Sequence, residues 1–295
     1  MFDIANIFSK VEQKGDIMYT KSMFYYSVLL LTVVFTIFAK PAVAAKGAVL
    51  DGLVAYWSFD KDTVQIQNHA EDTLTGLKAI VDGDPELAPS GDCKVGECVL
   101  LDGVDDYLLV EDSDPPRINR DWEEITMECW VKINALDDSW NRIISLDDQP
   151  TNTKVITLYY DDDDNRHGFF VKVNDKATQA AQHLIQEDIP LNEWIHIVGT
   201  YDGTEAHYYV NGKMEIKHAV PGGTVEKGGL LLGIGDRSDG VNADAIQGYI
   251  DEFRIYDRAL TEAEVKNNMN AEGLDVSPTS NHLSVTWGQI KARRR

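Results

Sequence analysis

Basic residues are scarce in this sequence of 295 residues. Lys and Arg together number 27, against 49 Asp and Glu, which gives a formal net charge of −22 at pH 7. Proteins that bind nucleic acid cluster Lys and Arg to neutralise phosphates. The composition therefore argues strongly against nucleic acid as a partner, and it fits either a soluble extracellular protein or a protein that collects cations.

Several catalytic and metal-binding signatures are also absent. There is no Gly-x-Ser-x-Gly turn, so a serine hydrolase lacks its nucleophile. Neither Cys-x-x-Cys nor His-Glu-x-x-His occurs, which argues against zinc. The acidic run 161–165 is not an EF-hand, because Arg166 and Lys172 stand where that loop requires Gly and Glu. We interpret this run as a solvated hairpin tip.

A hydrophobic run long enough to span a membrane is missing. The longest apolar stretch, Phe24–Phe38, falls short of the ~20 residues that a spanning helix needs. Lys21 precedes it and Ala42-Val43-Ala44 follows it as a cleavage motif, so residues 1–45 are predicted to be a signal peptide, in which Met18 or Met23 would be a more ordinary first residue than Met1. The protein would then be secreted or lie at the cell surface, with no membrane span after cleavage. An uncleaved anchor, and hence a membrane-anchored structural surface protein, is the alternative.

Cysteines are few as well: Cys93, Cys98 and Cys129. Export permits disulfides. Four residues, including a Gly, separate Cys93 from Cys98, and a hairpin of that length brings two cysteines within bridging distance. We expect this pair to be oxidised, with two free thiols beside a turn as the alternative. Cys129 lies in an alternating apolar segment and is predicted to be buried.

The sequence is instead rich in short strand patterns. About a dozen are separated by turn residues, and the segment Ile125–Ile133 alternates cleanly between apolar and other positions. The dipeptides Asp202-Gly203 and Asn211-Gly212 predict two tight hairpins and a three-stranded meander. This pattern predicts an all-β sandwich or barrel in a single domain, residues 46–270, followed by a tail at 271–295.

The stretch Gly248–Met269 closes the predicted domain. Its first half alternates, so that Tyr249, Asp251, Phe253 and Ile255 are expected to share one face of a strand. Thr261 stands three residues before Glu264, the spacing of a capping box, which predicts a short helix directly after the strand.

Six segments together resemble a known family. In order, they are LVAYWSFD, DGVDDYLLV, ITMECWVKI, EWIHIVGTYDG, YYVNGK and GYIDEFRIYDRALTEAEV. Between Leu53 and Met269 the sequence resembles the laminin-G-like jelly-roll family of the concanavalin A-like lectin/glucanase superfamily. The resemblance implies a two-sheet antiparallel jelly-roll β-sandwich with one short C-terminal helix. It also implies secretion and a role in binding glycans or extracellular proteins.

A structural calcium ion is a further implication of the resemblance. Asp251 on the last strand would be its side-chain ligand, with Asp60 and the Asp102-Gly103 turn as candidate companions. The alternative is that Asp251 accepts hydrogen bonds from loop amides and fixes the strand to its neighbours. A mid-strand carboxylate that is buried must be paired in one of these ways.

Ligand recognition is expected in loops, which carry function on rigid scaffolds. We expect the loops 137–141 and 236–244 to bind the ligand. The candidate residues in them are Trp140, Asp236, Asp239, Asn242 and Asp244. Trp122, Tyr159 and Tyr208 are further candidates for exposed aromatic residues, although most aromatics in a sandwich fill its core.

Glycoside hydrolases share this superfamily, so an enzyme is the alternative function. Their carboxylates alternate along one strand, and Glu124 and Glu128 come close to that pattern. Thr126 replaces the acid expected between them, and a solvated glutamate face is the simpler interpretation. We therefore predict a secreted, non-catalytic module that binds carbohydrate or an extracellular protein, with a glycoside hydrolase or lyase using Glu124 and Glu128 as the alternative.

Overall fold

The computed structural model describes the chain from Gly47 to Gly273, with internal gaps. The gaps are residues 61–63, 66–68, 72–77, 84, 89, 112–115, 136–139, 149–152, 162–165, 175–181, 188–189, 221, 229–230 and 238–243. The predicted signal peptide and nearly all of the predicted tail therefore lie outside the described residues. Among the described residues, none of the helical structure is long and apolar enough to cross a membrane.

The first sheet contains eight antiparallel strands. In sequence order they are β1 (Leu53–Trp57), β5 (Glu86–Ala88), β6 (Cys98–Asp102), β8 (Ile125–Ala135), β13 (Ile195–Tyr201), β14 (Glu205–Val210), β15 (Lys213–Ala219) and β17 (Gln247–Tyr256). The spatial order is β15-β14-β13-β8-β17-β6-β5. β1 pairs with the second half of β17, beyond the end of its pairing with β6.

The second sheet contains nine strands. They are β2 (Val64–Gln65), β3 (His69–Glu71), β4 (Lys78–Asp82), β7 (Tyr107–Glu111), β9 (Trp140–Asp148), β10 (Thr153–Asp161), β11 (Arg166–Val171), β12 (Gln182–Glu187) and β16 (Leu232–Ile234). Their spatial order is β12-β11-β10-β9-β16-β7-β4-β3-β2. Two antiparallel sheets confirm the predicted all-β sandwich.

The core lies between the sheets and draws on both of them. On β8, the alternating residues Ile125, Met127, Cys129, Val131 and Ile133 are all buried in it, as the sequence pattern predicted. Apolar residues of β9, β10 and β11 supply the facing layer. Burial of Cys129 as a free thiol is confirmed too.

The predicted meander is confirmed in β13, β14 and β15. Asp202-Gly203 joins the first two strands, and the Asp202 carboxylate accepts hydrogen bonds from the Thr204 and Glu205 amides. Asn211 and Gly212 join the next two with φ of 49° and 75°. Positive φ at both central residues is what a type I′ turn requires.

A β-bulge in β17 overturns the predicted facing of that strand. The register against β8 shifts between Asp251 and Arg254, and Glu252 has a φ of 54°. A bulge adds one residue to a strand and reverses the side that later residues face. Consequently Phe253 and Ile255 enter the core together with Ile250, whereas Asp251 lies on the outer face, opposite Trp130.

The helix α1 (Glu262–Met269) follows β17 as predicted. The Thr261 hydroxyl accepts from the Glu264 amide and the Glu264 carboxylate accepts from the Thr261 amide, which completes the capping box. Val265 and Asn268 are its buried residues. The Asn268 side chain donates to Tyr256 Oη at 2.9 Å and so fixes the helix to the end of β17.

We predict that Gly199→Ala destabilises the sandwich. A Cβ at Gly199 on β13 would lie 2.2 Å from the Phe169 ring of the opposite sheet. Overpacking of this kind costs roughly 1–3 kcal/mol, which urea unfolding followed by fluorescence can measure. Gly91→Ala is the matched control, since a Cβ there has nothing within 4 Å. Equal unfolding midpoints for the two variants would contradict the close approach of the sheets.

Candidate functional site

The two loops predicted to bind ligand meet at the start of β9. The Arg142 amide donates to the Asp244 carbonyl at 2.9 Å, and the Asn141 side chain donates to the Ala245 carbonyl. Trp140 and Asp244 therefore belong to one cluster. Asp239 and Asn242 lie outside the described residues.

Arg142 is the centre of this cluster. Its guanidinium forms ion pairs with Asp147 and, at 2.8 Å, with Asp244. The Ser145 hydroxyl donates to Asp147 at 2.8 Å, and all of these side chains except Asp244 are buried. Buried charges need such partners, so much of the polarity at the end of loop 236–244 stabilises the protein itself.

An aromatic pair covers the cluster. Trp140 stacks on Tyr159 with ring centres 5.2 Å apart, and Lys154 Nζ lies 3.6 Å from the centre of the Trp140 ring. Burial lowers the pKa of Lys154 to about 8. Trp140 is half-buried, but Tyr159 is buried, and so are Trp122 and Tyr208. The expectation that these three aromatics are exposed is wrong, because they pack into or against the sandwich.

Asp236 shapes the loop that carries Asp244. Its side chain is fully buried, and its Oδ1 accepts from the Arg237 amide at 2.6 Å and from the Asp244 amide at 2.9 Å. Burial raises the pKa of Asp236 above its usual range. The carboxylate thus holds the two ends of the loop together, and its role in ligand binding stays a prediction.

The predicted disulfide between Cys93 and Cys98 is confirmed. It closes a short hairpin against the outer face of the first sheet. The Glu97 amide in this hairpin donates to Asp60 Oδ1 at 3.0 Å. Asp60, just beyond the end of β1, therefore fixes one side of the hairpin.

Asp251 fixes the other side. Its Oδ2 accepts hydrogen bonds from the Lys94 amide at 3.2 Å and the Val95 amide at 2.9 Å. This contact is the loop-locking role given above as the alternative to a calcium ligand. Burial raises the pKa of Asp251 to about 8, although the Val95 amide acts in the opposite direction. Its second oxygen, Oδ1, is buried and makes no well-aligned hydrogen bond among the described residues, although the Glu252 amide is close enough to lower the pKa of the carboxyl.

Asp102 and Gly103 lie elsewhere, in the turn between β6 and β7. Asp102 Oδ1 accepts from the Val104 amide at 2.7 Å, and Asp102, Asp105 and Asp106 place carboxylate oxygens within 4.8 Å of one another. Within the described parts of the chain this is the only such group of three, and it includes neither Asp251 nor Asp60. The predicted calcium ligands are therefore divided between two places.

Glu128 is buried rather than part of a solvated face, so that interpretation is wrong. Arg254 Nη1 lies 3.2 Å and Asn268 Nδ2 2.8 Å from its Oε1, while His196 Nε2 lies 3.6 Å from its Oε2. Burial raises the pKa of Glu128 to about 7, against the opposing effect of Arg254. Glu124, by contrast, is exposed and accepts from the Ala259 amide.

A polar cavity of about 430 Å³ opens at the other end of β9. Its walls are the end of β9, the start of β10, the segment after β11 and the loop around Val225. The lining residues are Asp121, Asp148, Val155, Lys172, Asn174, Thr224, Glu226 and Lys227. β9 separates the Cα atoms of Trp140 and Asp148 by roughly 25 Å at ~3.3 Å per residue, so this cavity is distinct from the Trp140 cluster.

Hydrogen bonds hold the cavity walls in place. Asn174 has a φ of 57°, and its side chain donates to the Gly222 carbonyl at 3.0 Å and accepts from the Thr224 amide at 3.2 Å. Asp121 Oδ1 accepts from the Lys227 amide at 2.9 Å. The walls are therefore formed before a ligand arrives, which lowers the entropy lost on binding.

Sequence reasoning missed this cavity because its residues come from separate segments that no motif connects. A local signal was present in Pro221-Gly222-Gly223, which marks a turn. Nothing in the sequence shows that Asn174 reaches that turn, or that an isolated bridge pairs Trp122 with Val225 beside it. These contacts depend on tertiary structure.

The laminin G model of the concanavalin A-like lectin/glucanases superfamily matches residues 102–266. The chain belongs to this superfamily. No curated protein sequence matches the chain significantly.

Several solved structures share the fold of this superfamily member. A sialidase from Trypanosoma rangeli is 17% identical, with a TM-score of 0.56 over 86% of this chain and 39% of its own. The ligand binding domain of botulinum neurotoxin serotype D, in complex with N-acetylneuraminic acid, is 14% identical, with a TM-score of 0.56 over 74% of this chain and 50% of its own. The binding domain of Paraclostridial Mosquitocidal Protein 1 is 16% identical, with a TM-score of 0.57 over 74% and 52%. The matches thus span about half of these proteins or less, and they establish the fold alone.

We predict that Glu128 makes the stability of the fold depend on pH. The folded protein holds this proton up to a pKa of about 7, raised from 4.5, whereas the unfolded chain releases it earlier. The free energy of unfolding should therefore fall as pH rises through this window, by at most ~1.4 kcal/mol per pH unit. Glu128→Gln should flatten that fall, because Gln does not titrate, and it should also lower the stability at every pH by removing a charged partner of the buried Arg254.

Urea unfolding at pH 5 and pH 8 measures this difference. Glu124→Gln is the control, since the same change at this exposed position should leave the wild-type pH profile in place. If the free energy of unfolding falls equally with pH in wild type and in Glu128→Gln, the titration of Glu128 does not contribute to the pH dependence of stability.

Proposed function

We propose that the protein is a carbohydrate-binding module whose ligand occupies the polar cavity at the end of β9. The single observation that carries the proposal is this cavity of about 430 Å³ with preformed walls. Ligand sites are concave, usually preformed and few per protein, and their volumes are roughly 300–1,000 Å³.

The chemistry of the lining supports a sugar ligand. Carboxylates, ammonium groups, an amide and a hydroxyl surround the cavity, and Val155 contributes an apolar wall. Each sugar hydroxyl both donates and accepts a hydrogen bond, so it suits walls that offer both functions. The lectin-like superfamily and the sialic acid bound by the neurotoxin domain favour the same class of ligand.

A non-catalytic role is the second part of the proposal. Glu128 of the predicted acid pair is fully buried and held by Arg254 and Asn268, so a polysaccharide does not reach it in this structure. Glycoside hydrolysis needs both carboxyl groups at the scissile bond. A glycoside hydrolase or lyase using Glu124 and Glu128 would require this network to open.

Secretion or display at the cell surface completes the proposal. A disulfide such as Cys93–Cys98 forms and persists in oxidising compartments. The apolar run 24–38 and the motif 42–44 supply the export signal in this interpretation. An extracellular protein ligand remains the alternative to a glycan.

A glycan array followed by calorimetry tests the function. We expect wild-type protein to retain at least one glycan, and Lys172→Met to weaken that binding by roughly 10- to 150-fold, because a lost charge-assisted hydrogen bond is worth about 1.5–3 kcal/mol. Lys213→Met is the matched control, since its exposed ammonium lies on the edge strand β15 and outside the cavity.

The variant Trp140→Ala distinguishes the cavity at the end of β9 from the loops that the sequence predicts to bind the ligand. Loss of binding in Trp140→Ala but not in Lys172→Met would move the site to the predicted loops 137–141 and 236–244. If the wild-type protein binds no glycan on the array, the carbohydrate proposal is overturned and a protein ligand is favoured.

We also propose that a calcium ion binds beside Asp251 and stabilises the fold. The observation that supports it is the buried Oδ1 of Asp251, which makes no well-aligned hydrogen bond among the described residues, with the Asp60 carboxylate near enough to raise the pKa of Asp251. Calcium is bound by six to eight oxygens, and carboxylates are its usual side-chain ligands. An ion here would hold Asp251 in its charged form and offset the cost of burying it.

Thermal melting tests the calcium proposal. We expect EDTA to lower the melting temperature and added calcium to restore it, because an ion bound only by the folded state stabilises that state. Asp251→Asn should lose the response, whereas Asp102→Asn should keep it. A melting temperature that ignores both EDTA and calcium would exclude the ion, and loss of the response only in Asp102→Asn would move it to the β6–β7 turn.

A further inference from the structure

Charges around the cavity are not balanced. Three carboxylates, from Asp121, Asp148 and Glu226, face two ammonium groups, from Lys172 and Lys227. The lining therefore carries one excess negative charge. A ligand that brings another carboxylate would enter against this field.

The more enclosed ammonium group already has a partner. Lys172 Nζ lies 3.5 Å from Asp148 Oδ2, and the two side chains are only 15% and 31% exposed. A ligand carboxylate at Lys172 would have to displace Asp148 or lie close to it. In either arrangement, two carboxylates share one partly buried ammonium group. One negative charge then lacks a full partner, which reduces the free energy of binding.

The second ammonium group offers little more to an anion. Lys227 lies on the exposed rim, directly after Glu226, which is exposed as well. The Asp121 carboxylate accepts from the Lys227 amide, so a negative charge also lies beside its backbone. An ion pair between Lys227 and a ligand carboxylate would therefore be exposed to solvent. Exposed ion pairs contribute only ~0–1 kcal/mol, and salt screens them.

The charge of the whole chain acts in the same direction. With a net charge of −22, the protein repels anionic glycans at long range and slows their approach at low ionic strength. A neutral sugar meets no such barrier.

We infer that the saccharide bound in this cavity is electrically neutral and presents two neighbouring hydroxyl groups to Lys172 and Asp148. This inference rests on the proposed carbohydrate function and narrows its ligand class. One hydroxyl would accept from the Lys172 ammonium while its neighbour donates to the Asp148 carboxylate, so the ion pair stays intact. Val155 would contact the apolar C–H face of the ring. The ligand therefore differs in charge from the N-acetylneuraminic acid bound by the neurotoxin domain.

Matched glycans test the inference. Galactose-terminated oligosaccharides are compared with the same oligosaccharides capped by N-acetylneuraminic acid, and glucose oligomers with their uronic acid counterparts, by calorimetry at 20 mM and 500 mM NaCl. We expect the neutral member of a bound pair to bind at least ~10-fold more tightly at low salt, the effect of about 1.4 kcal/mol of charge repulsion. Salt should narrow the gap, because it screens the repulsion.

Asp148→Asn supplies the decisive variant. It removes one negative charge from the cavity, that of the carboxylate 3.5 Å from the Lys172 ammonium, so the preference for neutral glycans should shrink several-fold or reverse. The exposed Asp92→Asn outside the cavity is the matched control and should keep the wild-type preference. Melting temperatures of both variants establish that they are folded.

The outcomes separate the two proposals. Equal or tighter binding of the acidic glycans by wild-type protein at low salt would overturn the neutral-ligand inference and leave the carbohydrate function standing. An unchanged preference in folded Asp148→Asn would overturn the assigned role of the ion pair. If the protein binds neither the neutral nor the acidic glycans, the proposed function and this inference are overturned together.

Discussion

Burial of Arg254 is the constraint on which the first sheet depends. Its guanidinium lies between Glu128 on β8 and Glu252 on β17, and none of the three side chains is exposed by more than 1%. Removing one member of a buried ion pair leaves an uncompensated charge, which is far costlier than the pair is stabilising. The bulge at Glu252 makes the arrangement possible, because it places Glu252 and Arg254 on the outer face while Phe253 turns inward. Asn268 of the helix donates to the same Glu128 and so connects α1 with the network.

The structural elements that could be predicted from the sequence are those determined by residues close to one another in the chain. Alternation in β8, the Asn-Gly turn after β14 and the capping box of α1 each depend on residues within a few positions of one another. The disulfide is equally local, since five positions separate its cysteines. The alternating pattern gave the wrong facing for the second half of β17, because the order of apolar residues does not reveal a β-bulge. The alternating pattern predicts that Phe253 and Ile255 share a face with Asp251, and a single inserted residue reverses that facing.

The candidate sites were harder to predict, because polar side chains satisfy one another over long sequence distances. The sequence predicts Trp140 and Asp244 as ligand contacts, and their loops do meet, yet Asp244 pairs with Arg142. Polarity in a loop does not reveal whether a side chain faces solvent or a buried arginine. The cavity presents the converse case: Asp148, Lys172 and Thr224 have unremarkable neighbours in sequence, and only the packing of strand ends brings them together.

The excess of acidic residues therefore has a structural use beyond solubility. Asp60, Asp202, Asp236 and Asp251 each accept hydrogen bonds from backbone amides in turns or hairpins. Carboxylates that accept amide hydrogen bonds make strong, charge-assisted contacts, and they fix loops that would otherwise be mobile. Asp60 and Asp202 are only half-buried, so their charges also contribute to the electrostatic field at the surface. Asp121 shows the same double role in the proposed site, because it orders one wall by accepting from the Lys227 amide and adds to the negative charge that the proposed ligand would meet.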